Sequence, residues 1–179
     1  MKKIVTVVSA LVLGTAAMAQ TDQGGWVFGA GSDFSFVSAK FDSEQEESSS
    51  DMNLNIGAGY FVIDNLSVGL TFNYGSNKEA GADDASSSML VGPVVRYYLP
   101  MKIFGQLSYQ IGSISAGGEK LYGTGDLGIG VGYAAFLNDN VSIEPMVKYD
   151  MTSYSPEEGD GGNGSAFGVF INFGIYLGN

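Results

Sequence analysis

Six charged residues interrupt segments that otherwise alternate between apolar side chains and small or polar ones. They are Asp33, Arg96, Asp126, Glu144, Lys148 and Asp150. Because an isolated buried charge is costly, carboxylates and basic groups that share a confined space must be paired and hydrogen-bonded. We therefore predict that these residues form a structural network of charges in the interior of the protein. A narrow ion path or gate lined by the same groups is the alternative.

Residue types that most catalytic sites need are missing from the sequence. The chain has 0 His and 0 Cys, so it can build neither a Ser-His nor a Cys-His nucleophile pair, nor a soft-metal site. Glu157 and Glu158 are neighbours in a predicted loop, where simple solvation explains them better than acid–base work. The glycines of 128–132 continue a strand alternation, which does not form a phosphate-binding loop. We expect no enzymatic activity, no cofactor and no metal.

The elements that must position the charged residues are strands. Successive side chains of a strand point to opposite faces, and segments of about ten residues with alternating hydrophobicity are typical of transmembrane barrels. Eight such segments are predicted, at 25–37, 52–61, 66–74, 88–99, 102–113, 122–136, 141–152 and 166–177. The predicted fold is all-β: an eight-stranded antiparallel up-and-down transmembrane β-barrel, preceded by a cleavable signal peptide.

Connections between the predicted strands alternate in length. Short turns are predicted at 63–65, 100–101 and 138–140, and longer loops at 40–51, 76–87, 114–121 and 153–165. Short turns on one side and long loops on the other are typical of bacterial outer-membrane barrels. An even strand number then places both termini in the periplasm and the loops outside the cell. The loops are acidic, which indicates solvation rather than a calcium site, because they lack ordered ligand spacing.

Charge also indicates which strand faces meet lipid. The strands at 88–99 and 141–152 each have one uncharged face, and Arg96 and Lys148 lie on the other. A basic residue facing lipid at the bilayer midplane costs about 2 to 4 kcal/mol, so both residues are predicted to face the lumen. Side chains just fill an eight-stranded barrel, so no wide pore is expected.

The N-terminal segment predicts export. Lys2 and Lys3 precede an apolar run over 4–13, and Ala17-Met18-Ala19 provides small residues before Gln20. This pattern is typical of a signal peptide at 1–19, followed by a barrel domain at 20–179. The whole chain carries a net charge of -11, and nucleic acid is not expected as a partner for such an acidic surface.

The signal ending, the turn at 61–68, its echo at 136–143 and the closing strand together resemble the small β-barrel proteins of bacterial outer membranes, similar to the porin family of Bacteroidetes-type bacteria. The resemblance covers 20–179. It implies an outer-membrane protein with a structural or surface-interaction role, whose partners are outer-membrane lipid, lipopolysaccharide and the barrel-assembly machinery. Members of this class commonly end on an aromatic residue that the machinery reads. Here Leu177, Gly178 and Asn179 follow Tyr176, so Phe173 and Tyr176 are the candidates for that signal.

A soluble alternative exists in the lipocalins, exported eight-stranded barrels that carry small apolar ligands. Gly24-Gly25-Trp26 fits the Gly-x-Trp near their first strand. A periplasmic carrier of this kind would have the opposite orientation of faces, with the apolar side chains lining an inner cup. Soluble strands normally carry interspersed charges on their outer face, whereas this chain concentrates its charge in the loops. The membrane barrel is therefore preferred.

Overall fold

The computed structural model describes residues 18–30, 35–39, 49–79, 82, 84–156 and 159–178, and these form one antiparallel sheet with two short 3₁₀ segments. The 3₁₀ segments are η1 (Met18–Thr21) and η2 (Pro100–Lys102). The strands are β1 (Trp26–Ala30), β2 (Ser35–Ala39), β3 (Ser49–Ile63), β4 (Leu66–Lys78), β5 (Ser86–Tyr98), β6 (Ile103–Ala116), β7 (Glu119–Tyr133), β8 (Ala135–Phe136), β9 (Val141–Pro156) and β10 (Gly162–Leu177). No helix in this part of the chain has the length and apolar content needed to cross a membrane.

The sheet closes on itself through β1. This strand pairs with β10 on one side and with β3 on the other, so that Trp26 lies opposite both Leu177 and Tyr60. β2 also pairs with β3, and β8 continues the line of β7 along β9. β1 with β2 and β7 with β8 therefore occupy one position each, which gives the eight-stranded closed antiparallel barrel predicted from the sequence.

The two ends of the barrel differ in their connections. We call the end that holds η1, η2 and the connections at 64–65 and 137–140 the turn end, and the opposite end the loop end. Most strands reach further toward the loop end than the alternation predicts. The connection between β6 and β7 is a two-residue turn, so the longer loop predicted at 114–121 is wrong. Gly117 and Gly118 have φ of 59° and 82°, which suits the tight hairpin turns that favour glycine.

The predicted first strand is divided into two strands in the structure. Instead of one run over 25–37, the structure has β1 and β2, and the pairing with β3 changes from Ala30 opposite Ile56 to Ser35 opposite Asn53. Asp33 lies outside the described residues, as does the predicted signal peptide apart from Met18 and Ala19.

The apolar strand faces point outward. The outward side chains of the last nine positions of β10 are between 49% and 72% exposed: Val169, Ile171, Phe173, Ile175 and Leu177. Asn172, Gly174 and Tyr176 alternate with them and are buried inside the barrel. The same alternation puts Arg96 and Lys148 on the lumenal side, as predicted. A lipocalin-like carrier would need the apolar side chains inside, so this alternative is not favoured.

One close approach between strands requires glycine. Gly69 of β4 lies against β3 so tightly that an added Cβ would overlap the carbonyl oxygen of Ala58. Glycine lets neighbouring backbones come together where a curved sheet bends sharply. At the outward-facing Gly105 of β6, by contrast, an added Cβ would meet nothing within 4 Å.

Candidate functional site

The lumen of the barrel is the candidate site, and its turn end is filled by aromatic side chains. Phe61, Tyr98, Phe104 and Tyr176, here called the base cluster, are 0% to 4% exposed. Ring centroids of Tyr98 lie 5.6 Å from Phe61 and 5.5 Å from Phe104. The ring of Phe136 packs 4.8 Å from that of Tyr176. Packed rings of this kind leave little space between them, so the base cluster occupies much of the lumen at the turn end.

A buried ion pair joins the base cluster. Arg96 Nη1 lies 2.7 Å from Glu144 Oε2, and the Glu144 side chain is only 1% exposed. The other carboxylate oxygen, Oε1, accepts hydrogen bonds from the hydroxyls of Ser142 at 2.7 Å and Tyr176 at 2.5 Å. Arg96 donates through Nε to Gln106 at 2.6 Å. Both charges are thus paired and hydrogen-bonded, which is the condition for burying them.

The rings of the base cluster hold the same groups in place. The Arg96 guanidinium lies 4.7 Å from the ring centroid of Phe104, and the hydroxyls of Tyr98 and Tyr176 are 3.0 Å apart. A guanidinium over an aromatic face gains cation–π attraction in addition to its ion pair. The cluster is therefore stabilised by apolar packing, by charge pairing and by hydrogen bonds at the same time.

The N-terminal segment covers the turn end from outside the lumen. The Asn65 amide donates to the Thr21 carbonyl at 2.7 Å, and the Thr21 hydroxyl donates to the Asn65 side chain at 2.6 Å. The Gly24 amide donates to the Phe61 carbonyl at 2.9 Å. Gln20 and Thr21 are buried by this arrangement. The segment thus adds a second layer of contacts over the base cluster.

Above the base cluster, the middle of the lumen holds a cavity of about 560 Å³, whose wall contains both polar and apolar side chains. Its charged groups are an ion pair between Lys148 Nζ and Asp150 Oδ1 at 2.6 Å, and Asp126, which accepts a hydrogen bond from Thr152 at 2.8 Å. Amides and hydroxyls of β3, β4, β5, β6 and β10 form the rest of the polar wall. The lumen therefore has a packed part, formed by the base cluster with its ion pair, and a hollow part, which contains the second group of charges.

The six predicted charged residues fall into two groups. Arg96 and Glu144 meet at the base cluster, while Asp126, Lys148 and Asp150 gather at the cavity. Asp33 is not among the described residues. Among the described residues, no group of three or more His, Cys, Asp or Glu side chains could hold a metal ion. The structural role of these charges stays a prediction, with an ion path or gate as the alternative.

Sequence reasoning missed the neutral partners of the buried ion pair. The predicted site does not include Gln106, Ser142 or Tyr98, although Ser142 precedes Glu144 by two positions and Tyr98 follows Arg96 by two. On a strand, this spacing places side chains on the same face, so the signal was present. Tyr176 was selected only as an assembly signal, and the structure also places it in the base cluster. Phe173, the other candidate for that signal, is 51% exposed on the outer face.

A closed barrel with an apolar outer face and a polar lumen defines the class of membrane-spanning β-barrels. The family model of the outer membrane protein beta-barrel domain matches residues 5–175, so the chain belongs to this family of outer-membrane barrels. No curated protein matches the chain. Among solved structures, it is similar to the outer membrane protein OprG from Pseudomonas aeruginosa, with 15% identity and a TM-score of 0.49, over 90% of this chain and 100% of that one.

Proposed function

We propose that this outer-membrane barrel has a structural or surface-interaction role, catalyses no reaction, and offers at most a narrow passage to small solutes. The observation that supports it is the base cluster with its buried Arg96–Glu144 pair, which fills the turn end of the lumen. Opening a path there would separate a buried ion pair and expose several aromatic rings. Removing one partner of such a pair costs about 3 to 5 kcal/mol, so an open state is a minor one.

Planar-bilayer recording of the purified protein tests the closed lumen. We expect no stable unit conductance from the unmodified protein. The double variant Tyr98→Ala/Tyr176→Ala removes two rings and their linked hydroxyls, of which that of Tyr176 donates to Glu144. It serves as the positive control and is expected to give measurable openings. Large, stable unit conductance from the unmodified protein would overturn the proposal.

The proposal includes an orientation in the membrane, with the loop end outside the cell and both termini in the periplasm. Its support is the contrast between short turns and acidic, polar connections, including Glu79, Asp84 and Asp160. Because the chain has 0 Cys, a single introduced cysteine reports one position. On intact cells, a membrane-impermeant maleimide is expected to label Asp160→Cys and to spare Asp139→Cys at the turn end. The reverse labelling would contradict this orientation.

The proposed partners are outer-membrane lipid, lipopolysaccharide and the barrel-assembly machinery. Apolar side chains on the outer face provide the lipid contact, and Phe173 and Tyr176 near the chain end are the proposed assembly signal. Phe173 offers the cleaner test, because its ring is outside the base cluster. Phe173→Ala is expected to lower the amount of inserted protein in cells while leaving refolding into detergent unchanged. Equal insertion of the variant and the unmodified protein would remove Phe173 from the signal.

A further inference from the structure

We propose that the cavity above the base cluster is a binding pocket for a small hydroxylated organic cation, such as an amino alcohol, with Asp126 as its counter-charge. The cavity volume of about 560 Å³ lies within the range of about 300 to 1,000 Å³ that is usual for small-molecule sites. The proposal concerns binding, and it stands whether or not the barrel conducts.

The charges around the cavity do not balance. Two basic groups, Arg96 and Lys148, line the cavity; Arg96 is paired with the buried Glu144, which leaves Lys148 to face the two carboxylates of Asp126 and Asp150. Lys148 contacts Asp150 at 2.6 Å, whereas Asp126 accepts a hydrogen bond from the neutral hydroxyl of Thr152 and lies against the Asp150 carboxyl. Asp126 is only 8% exposed. A carboxylate buried to this degree is strongly stabilised by a second cation, and the cavity has the space for one.

An unused hydrogen-bonding group lies next to these charges. Ser108 lines the cavity, is 3% exposed, and its hydroxyl has no hydrogen-bond partner among the described residues. Gly128 packs closely against these groups, because a Cβ at that position would overlap Lys148 Cε and lie 2.7 Å from both Ser108 Oγ and Asp150 Oδ1. A buried hydroxyl without a partner carries a desolvation cost that a ligand can relieve. This feature indicates a ligand with hydrogen-bonding groups of its own.

The rest of the wall suits a solute with hydroxyl groups. The amide side chains that line the cavity are Asn53, Asn55, Asn73, Gln106, Gln110 and Asn172. Each amide can both donate and accept, as can a ligand hydroxyl, so the two match without a fixed direction of donation. Asn73 and Gln110 are already joined at 2.7 Å, and this bond holds part of the wall in place.

Access to the cavity favours positive solutes. The base cluster closes one end, so a ligand enters from the loop end. Described acidic residues toward that end are Asp51, Glu79, Asp84, Glu119 and Asp160, against the basic Lys78 and Lys120. A mouth lined mainly by one sign of charge raises the local concentration of counter-ions. The entry route and the counter-charge therefore both favour a positively charged solute.

Titration with three small two-carbon solutes of different charge tests the proposal. The folded protein in detergent micelles, in an amine-free phosphate buffer, is titrated with ethanolamine, ethylene glycol and glycolate, and binding is followed by NMR signals of the Asn and Gln side-chain amides. We expect ethanolamine to bind at least about tenfold more tightly than ethylene glycol, and glycolate not to saturate. Equal affinities for ethanolamine and ethylene glycol would overturn the proposal. These comparisons use the unmodified protein and need no variant.

Substitution of the counter-charge locates the site. Asp126→Asn is expected to lower ethanolamine affinity about tenfold and to abolish its advantage over ethylene glycol, while Asp139→Asn in an exposed turn is the control and leaves both unchanged. Retention of full ethanolamine affinity by folded Asp126→Asn would refute the assignment of this residue. If bilayer recording shows no conductance and no solute binds, the binding pocket is refuted and the closed lumen stands. If the protein conducts and still binds ethanolamine preferentially, the closed lumen is refuted and the pocket stands.

Discussion

Replacing Arg96 by methionine should destabilise the barrel strongly, because it leaves the Glu144 carboxylate buried without a cation. Methionine keeps most of the apolar length of the arginine side chain and its contact with the ring of Phe104, so the change isolates the charge. Glu144 is 0% exposed and would retain its hydrogen bonds from Ser142 and Tyr176, but these cannot replace the guanidinium. Breaking a buried pair on one side costs about 3 to 5 kcal/mol.

The loss of stability translates into a large thermal shift. A domain of 150 to 250 residues loses about 2 to 4 °C of Tm per kcal/mol, so Arg96→Met is expected to lower Tm by about 6 to 20 °C. The double variant Arg96→Met/Glu144→Gln removes both charges and keeps an amide that can accept from Ser142. We expect it to be more stable than Arg96→Met alone, because no uncompensated charge remains.

Denaturant and heat unfolding of the refolded protein in detergent measure these differences. Trp26 is the single tryptophan of the chain and lies where β1 closes the barrel, so its fluorescence reports the closed state. Lys120→Met, at an exposed hairpin, is the matched control and should shift the free energy of unfolding by less than about 0.5 kcal/mol. The reasoning fails if Arg96→Met matches this control, or if the double variant is no more stable than Arg96→Met.

Three further substitutions test other parts of the structure. Gly69→Ala should destabilise the barrel by more than about 1 kcal/mol in urea unfolding, because its Cβ would overlap a carbonyl oxygen of the facing strand. Gly105→Ala is the control, since its Cβ meets open space and should cost no stability. Equal effects of the two substitutions would contradict the close approach at Gly69. Tyr176→Phe should cost about 1 to 3 kcal/mol through the lost bond to a buried carboxylate, whereas Tyr97→Phe on the exposed face should be neutral. Val131→Arg on the outer face should cost about 2 to 4 kcal/mol in vesicles if that face meets lipid, and a neutral result would argue against it.

The sequence predicts the barrel well because each strand carries its own orientation signal. In β10 the outward Val169, Ile171 and Phe173 alternate with small or polar inward residues, and the contrast between lipid and lumen keeps this pattern strict. Arg96 and Lys148 fix the inward face of two other strands, since neither can face hydrocarbon cheaply. These inferences need no knowledge of neighbouring strands, which is why they are confirmed.

Pairing between distant strands is what the sequence does not reveal. Arg96 of β5 and Glu144 of β9 are 48 residues apart, and their contact depends on the barrel being narrow enough for side chains to meet across it. Strand ends near the loop end were also missed: Ser153 to Pro156 show no clear alternation, yet they pair with β7. Backbone hydrogen bonds to a neighbour hold such segments in the sheet, and single-strand patterns contain no record of them.

The two halves of the lumen have different tasks, and their charges reflect this. At the base cluster one cation meets one carboxylate, so the site is electrically complete without any ligand and contributes to closure. At the cavity a single ammonium serves two carboxylates, so the site is completed by a positive solute from outside. Because the base cluster blocks the turn end, a solute that enters from the loop end must leave by the same route. The proposed pocket therefore holds a solute inside the lumen and, with the base cluster in place, offers it no path through the turn end.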